Sequence, residues 1–331
     1  MIHDDEETDI PMNDMRAARF HQFGGPEVLQ IDRIPVPEPA AGEVLVQVGA
    51  VSVNGSELLD RAGRFRLLTG RTTPRQTGLD LVGTVVGHGM GEPTLAAGQQ
   101  VWGTVREKGG FSSAAEYVVV PEDHLSAAPK SISELEAATL LAGGTTGLRA
   151  LRDEARIRRG ERLLVRGAAG GVGSVVVQLG RVLGAHVTGL ARPSSADYVR
   201  GLGADEVIDY ATPPSDLRLF DVIVDASSAG RHLAYRKRLA PGGRFIALSV
   251  DFDHIARELG AIAWSAVHGR QRVRFFRGAP RTELLAEVAS LADREAVRPV
   301  VDTVYPLASI REAHRRLESG GVQGKLVISI A

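Results

Sequence analysis

The chain has 331 residues, 44% of them hydrophobic, with a formal net charge of -1 and no cysteine. That is enough for one large domain or two smaller ones with a proper core, and the near-neutral charge gives no reason to expect nucleic acid as a main partner. The lack of cysteine excludes disulfides, thiolate chemistry and cysteine-ligated zinc, and no apolar stretch reaches the ~18 residues of a transmembrane helix.

Residues 1–14 are acidic and polar, unlike a secretory signal or a basic transit peptide. They read as a disordered leader of a cytoplasmic protein, with Met12 and Met15 as alternative starts. Strands are predicted at 15–20, 28–34, 44–51, 80–86, 98–105 and 111–120, from short β-forming runs bounded by glycine and proline. A short helix is expected at 54–61 and a long loop at 63–78. So many short strands predict a mostly β, partly closed barrel-like domain. The pattern changes near Ser131. Ser133 with Glu136, or Ser131, opens a helix running through Leu141, and a second helix is predicted at 145–155. Further on, helices at 195–202 and 231–239 alternate with strands at 206–210, 220–225 and 244–248, with Pro241-Gly242-Gly243 as a turn. This alternation predicts a doubly wound parallel sheet. Residues 256–266 have helical period, and 268–277 carry four arginines around Val273, Phe275 and Phe276. Helices at 282–292 and 310–319 precede a last strand at 326–330, expected to return to the first domain.

The most informative stretch is 160–210. Leu163 to Val165 is a predicted buried strand. Ala168-Ala169-Gly170-Gly171-Val172-Gly173 then leads into a helix ending near Gly184, followed by a strand at 186–190. This is the start of a dinucleotide-binding βαβ unit. The glycines let a pyrophosphate approach the backbone at a helix N-terminus, where free N–H groups and the dipole favour an anion. Ala168 takes the place of the first fingerprint glycine, and the competing reading is a structural tight turn. At the next strand end, where an NAD site usually has an acid, residues 187–195 contain none. Arg192 stands there with Ser194 and Ser195. An arginine can hold a 2′-phosphate through charge-assisted bonds, which points to NADPH; otherwise Arg192 is a solvated surface residue.

Several stretches together resemble the zinc-independent medium-chain dehydrogenase/reductase superfamily, of the quinone oxidoreductase type. They are Asn54-Gly55-Ser56-Glu57 with Arg61-Ala62-Gly63, Gly78-Leu79-Asp80-Leu81-Val82-Gly83, the 168–173 turn, Leu202-Gly203-Ala204-Asp205, Leu239-Ala240-Pro241-Gly242-Gly243 and Gly324-Lys325-Leu326-Val327. The resemblance covers residues 15–331. It implies a GroES-like partly closed β-barrel domain (15–135, resumed at 276–331), a Rossmann doubly wound parallel sheet (136–275) and NADPH in the cleft between them. It implies Ala169, Gly170, Gly171, Val172 and Gly173 at the pyrophosphate, and Arg192, Ser194 and Tyr210 around the 2′-phosphate. Thr145 and Asn54 would lie near the nicotinamide, Ser227 and Leu248 would approach its side, and Lys325 would form the cleft floor. The lysine often found beyond the second strand has no counterpart; Ser195 is closest. Zinc-dependent relatives use cysteine and histidine ligands that this chain lacks, so no metal is expected.

Hydride transfer to a quinone or an α,β-unsaturated carbonyl needs a donor at the acceptor oxygen and a proton. Asn54 is the candidate polarising donor; its rival role is to hold local backbone or the nicotinamide ribose. Lys325 and Ser56 are the other catalytic candidates, Ser56 being equally a helix cap. Glu57 and Arg61, four apart, are expected to pair on one helix face. Leu59 and Phe65 stand where close relatives often carry tyrosines. That predicts a greasy pocket with few acids for an apolar or aromatic acceptor, with solvent as proton source. Phe23, Phe65, Phe252 and Trp264 would line it, or are ordinary core. For the arginine-rich stretch the resemblance implies an edge strand joining a homodimer through Val273 to Phe276; an anion patch and a solvated face are its other readings. Two alternatives to this reductase stay open: a nucleotide-binding interaction or structural protein with little activity, and a pathway-specific enoyl reductase of secondary metabolism.

Overall fold

The computed structural model describes residues 14–66, 70–105, 111–227, 230, 232–249, 260, 273–276 and 282–330. The expectations for 1–13, for 256–266 apart from residue 260, and for Phe252 and Trp264 lie outside the described residues.

The N-terminal half is β-rich. Strands β1 (Asp14–Phe20) and β2 (Leu29–Pro35) form a small antiparallel sheet with the two-residue β4 (Arg75–Gln76). The larger sheet is built on β3 (Glu43–Ser52), whose buried and exposed residues alternate as a strand facing one core requires. Its other members are β5 (Asp80–His88), β6 (Gln100–Thr104), β7 (Tyr117–Pro121), β8 (Leu125–Ala127), β15 (Val301–Pro306) and β16 (Lys325–Ser329). One edge of β3 pairs with β5. The other is shared, first by β7 and then, at Ala50 to Ser52, by β16. The last strand of the chain thus joins the sheet built on β3. The predicted strand at 111–120 begins only at Tyr117. Phe111 and Ala115 make isolated bridges to Gln76 and Ala17, while the Ser112 and Ser113 N–H groups donate to the Gly78 carbonyl.

The second sheet runs β11 (Glu206–Asp209), β10 (His186–Ala191), β9 (Arg162–Arg166), β12 (Phe220–Asp225), β13 (Leu239–Ala247), β14 (Val273–Phe275), with every pair parallel. Its central strands are apolar on both faces: Leu163, Leu164, Val165, Val222, Ile223 and Val224 are fully buried, as in a sheet covered by helices on each side. The chain builds outward from β9 to β11, then crosses back to β12. The crevice at the ends of β9 and β12 is therefore the topological switch point where such sheets take ligands. Pro241-Gly242-Gly243 is a bulge inside β13 rather than a turn before it: the pairing skips from Phe220/Leu239 to Val222/Arg244.

The helices are α1 (Gly55–Arg61), α2 (Glu134–Leu148), α3 (Gly171–Val182), α4 (Ala196–Gly201), α5 (His232–Arg236), α6 (Thr282–Asp293) and α7 (Ile310–Glu318). Ser133 caps α2 in a reciprocal capping box with Glu136. The break expected after Leu141 is absent: α2 continues to Leu148 and passes into a π-helical turn, Arg149–Glu154. Gly143 and Gly144 lie between the two predicted helices, and glycine weakens an isolated helix by ~1 kcal/mol relative to alanine. In the fold they are contact points. A Cβ on Gly143 would lie 2.9 Å from the Gly171 carbonyl oxygen, and one on Gly144 would lie 2.5 Å from Val288. The missing side chains let α2 lie directly on α3 and α6, and that packing outweighs the local propensity. No helix among the described residues is long and apolar enough to cross a membrane.

Candidate functional site

The glycine-rich turn sits at the C-terminal end of β9, in the switch-point crevice. Gly167 has φ +73 and Gly170 is the N-cap of α3. The first α3 hydrogen bond of the usual spacing runs from Ser174 N–H to the Gly170 carbonyl at 2.9 Å. The N–H groups of Gly171, Val172 and Gly173 precede it and have no helical acceptor. A Cβ on Gly173 would lie 2.0 Å from the Gly167 carbonyl oxygen, so that position admits only glycine. This small-residue cradle over free N–H groups fits a pyrophosphate.

The other wall comes from the β domain. Gly324 pairs with Gly170, and its N–H donates to the Ala169 carbonyl at 2.9 Å. The next residue, Lys325, is buried, and its stem passes over the turn: a Cβ on Gly171 would lie 2.8 Å from Lys325 Cδ. The ammonium donates to Asn54 Oδ1 and, at 3.4 Å, to the Val53 carbonyl. Asn54 is the N-cap of α1. Its Nδ2 donates to the Ser52 carbonyl at 3.1 Å, to Glu57 Oε1 at 3.0 Å and to Asp80 Oδ2 at 3.1 Å. A lysine can only donate and an ionised carboxylate can only accept, so this network fixes which way the amide points.

Two carboxyl groups stand behind Asn54. Asp80 opens β5 and is fully buried; it accepts from Ser52 N–H at 2.7 Å and from Ser52 Oγ at 2.5 Å. Its own backbone carbonyl accepts from Ser113 Oγ at 2.6 Å. Glu57 accepts from Asn54 N–H at 3.1 Å, Thr77 Oγ1 at 3.0 Å and Gly78 N–H at 3.1 Å. Burial raises the Glu57 carboxyl to about 7, with the Asp80 charge adding to the rise, while bonds from Asn54 and Thr77 and the Lys325 charge oppose it. Burial also lowers the Lys325 ammonium, opposed by the Asp80 and Glu57 charges. Two carboxyl groups facing one ammonium leave the cluster short of one positive charge, a deficit that a proton on Glu57 makes good.

The expected Glu57–Arg61 pair does not form. Glu57 turns inward to Asn54 and Thr77. Arg61, also buried, donates to the Gly24 carbonyl at 3.2 Å, meets His314 Nδ1 at 3.0 Å and pairs with Glu318. Burial, and then the Arg61 charge, pull His314 down to about 3, so it faces Arg61 as a neutral acceptor. The helix that carries Asn54 and Glu57 is thereby bolted to α7. Two carboxyl groups, Glu57 and Asp80, lie buried against Asn54.

The remaining predicted residues fall into four places. Ser227 lies against the glycine turn, its N–H and Oγ both donating to Asp225 Oδ1, at 3.0 and 2.7 Å. Leu248 follows β13 and is tied to the Asp225 carbonyl. Arg192, Ser194 and Tyr210 are exposed at the adjoining ends of β10 and β11, with the Tyr210 N–H donating to the Ala191 carbonyl. Asp209 also comes to this end, but its carboxylate accepts from Ala211 N–H within its own turn. Thr145 lies in α2, and its hydroxyl donates to the Leu141 carbonyl. Ser56, half-buried on the first turn of α1, is outside the network, and the cap position it was offered belongs to Asn54. Glu57 and Asp80 were missed as site residues. The available signals were an Asn-x-x-Glu capping pattern at 54–57 and one acid at the head of an otherwise apolar strand.

Among the described residues no group of three or more His, Cys, Asp or Glu side chains could hold a metal ion. Comparison with known proteins gives matches along most of the chain. Residues 40–130 match the family "Alcohol dehydrogenase GroES-like domain" and residues 202–328 the family "Zinc-binding dehydrogenase". The chain is 28% identical over 327 residues to the chloroplast envelope quinone oxidoreductase homolog of Arabidopsis thaliana, covering 95% of this chain and 98% of that protein. It is 32% identical over 328 residues to the NADPH-dependent alkenal/one oxidoreductase, chloroplastic, of the same plant, covering 95% and 79%. In structure it resembles the quinone oxidoreductase from Coxiella burnetii, with a TM-score of 0.87, 25% identity and coverage of 96% and 100%.

Proposed function

The chain belongs to the zinc-independent medium-chain dehydrogenase/reductase superfamily and is homologous to quinone-oxidoreductase-like proteins, and on that premise we propose that it is an NADPH-dependent reductase of quinones or α,β-unsaturated carbonyls. That it is an oxidoreductase using NAD(P)H follows from its relatives. The choice of NADPH and of acceptor is the proposal. The observation that carries it is the Lys325 side chain, which spans from the glycine turn to Asn54 and brings an ammonium to the cleft floor.

The bound nicotinamide nucleotide supplies the hydride. The chain would hold it at three points: the N–H groups of Gly171, Val172 and Gly173 on the pyrophosphate, Arg192, Ser194 and Tyr210 on the 2′-phosphate, and Thr145, Asn54, Ser227 and Leu248 toward the nicotinamide end. As hydride reaches the acceptor, negative charge grows on the acceptor oxygen, and a preorganised cation in a dry site stabilises it. An ammonium has three donors. Two go to Asn54 and Val53, leaving one N–H of Lys325 for that oxygen. Asn54 then acts chiefly by fixing the ammonium, while the Asp80 charge opposes the lowering that burial imposes on it. An enone takes the hydride at its β-carbon and one proton at its α-carbon, and a quinone takes one hydride and one proton to become the hydroquinone, the proton in each case drawn from Lys325 or solvent. β14, at the sheet edge with Arg274 and Phe275 exposed, is the proposed contact with a second copy.

The test is NADPH oxidation across a panel of quinones and enones, with NADH alongside. Turnover with either class and preference for NADPH are expected. Tight nucleotide binding with no turnover on any acceptor would instead leave a nucleotide-binding protein without this activity.

A further inference from the structure

Beside the glycine turn, a second stretch of the β domain reaches the nucleotide cleft: the segment 319–324, between α7 and β16. It lies against Arg192. A Cβ added to Gly321 would sit 3.3 Å from one terminal guanidinium nitrogen, and one added to Gly320 would sit 3.6 Å from the other. Both glycines have positive φ, +72 and +75. Arg192 itself is exposed and has no ion-pair partner among the described residues.

The segment is pinned from several sides. Arg316 donates to the carbonyls of Gly320, at 2.7 Å, and Gly321, at 3.4 Å. Asp302 accepts from the Gln323 N–H at 2.8 Å, and the Gln323 side chain donates to Ser195 Oγ at 3.2 Å. The Gly324 N–H is bound to Ala169. A trans peptide points its N–H opposite its carbonyl. With both carbonyls turned to Arg316, the N–H groups of Gly321 and Val322 face away from it, and they have no acceptor among the described residues. Arg316 is half-buried and is neutralised by Asp302 at 3.6 Å, so its part is to hold the backbone. Consecutive free N–H groups beside an unpaired guanidinium form an anion-binding concavity.

We propose that the Gly320–Val322 backbone, set by Arg316, is the second wall of the 2′-phosphate site, so that the phosphate is gripped between Arg192 and the N–H groups of Gly321 and Val322. Arg316 is a positioning residue, and an element of the β domain takes part in choosing between NADPH and NADH. This rests on the NADPH reading above and adds to it.

The experiment is a titration of the wild type, Arg192→Gln, Arg316→Gln and Gly321→Ala with NADPH, NADH, 2′,5′-ADP and 5′-AMP. The wild type should prefer NADPH. Arg192→Gln should lose that preference. Arg316→Gln should bind NADPH and 2′,5′-ADP at least tenfold more weakly, with NADH and 5′-AMP within twofold of the wild type, and Arg316→Lys should recover part of the loss. If Arg316→Gln does not fold, Gly321→Ala, whose Cβ pushes on Arg192, should show the same selective loss. Equal weakening toward all four nucleotides, or no weakening, in these variants would overturn the second wall while leaving the NADPH reading intact. A wild type without preference would end the NADPH reading itself.

Discussion

The Lys325 stem occupies the space in which a side chain on Gly171 would lie, and its ammonium donates to Asn54 Oδ1. One residue thus joins the glycine turn to the cap of α1. Replacing Lys325 by Met keeps the stem and removes the charge. Asp80 and Glu57 then lose their buried counter-charge, and Asn54 Oδ1 loses its donor. We expect kcat/KM to fall at least ~100-fold, about 2.7 kcal/mol, and stability to fall by about 3 kcal/mol, the range for a buried pair that loses one partner. Steady-state turnover and urea unfolding measure the two losses.

Gly171→Ala tests the same junction from the other side. The new Cβ would lie 2.8 Å from Lys325 Cδ and 3.1 Å from its Cγ. The lysine must move or the two domains must part slightly. Nucleotide binding should weaken by roughly tenfold, ~1.4 kcal/mol, and kcat should drop as well. A fluorescence titration together with turnover separates the two effects; an unchanged kcat would mean that Lys325 plays no part in the reaction.

Glu57 gives stability a pH dependence of definite sign. Its carboxyl is raised by burial to about 7, so between the unfolded value and about 7 the folded state holds the extra proton. The associated stability is complete below the unfolded carboxylate range and is lost as pH rises through about 7. Urea midpoints of the wild type should therefore decline from pH 5 to pH 8. In Glu57→Gln this decline should flatten, whatever the mutant's absolute stability. Parallel profiles for the two proteins would show that Glu57 is ionised throughout.

Gly144 should resist substitution although it lies inside a helix. Alanine would gain up to ~1 kcal/mol of helix propensity, but its Cβ would meet Val288 at 2.5 Å, and overpacking costs about 1–3 kcal/mol. Gly144→Ala should be destabilising. Adding Val288→Ala should recover part of the loss, which a double-mutant cycle in urea would reveal.

Much of this protein was legible in the residues. The alternating burial of β3, the capping box at Ser133 and the βαβ unit around the glycine turn are written in neighbours a few residues apart, because they rest on backbone conformation and local periodicity. The glycine pair at 143–144 has a local meaning too, a weakened helix, and only the close faces of α3 and α6 give it another. The Glu57–Arg61 spacing suggested a pair on one helix face, but burial gave each charge a different partner.

What the sequence by itself determined was a nucleotide cradle, a β-rich domain and an arginine without an acid at the strand end. The tertiary structure alone decided that Asn54, Asp80 and Lys325 meet, since they lie 26 and 271 residues apart in the pairs that join them. The meeting depends on β16 returning to β3 and on β5 pairing at its other edge. Pairing registers between distant strands are set by the packing of the whole sheet, and no local periodicity encodes them.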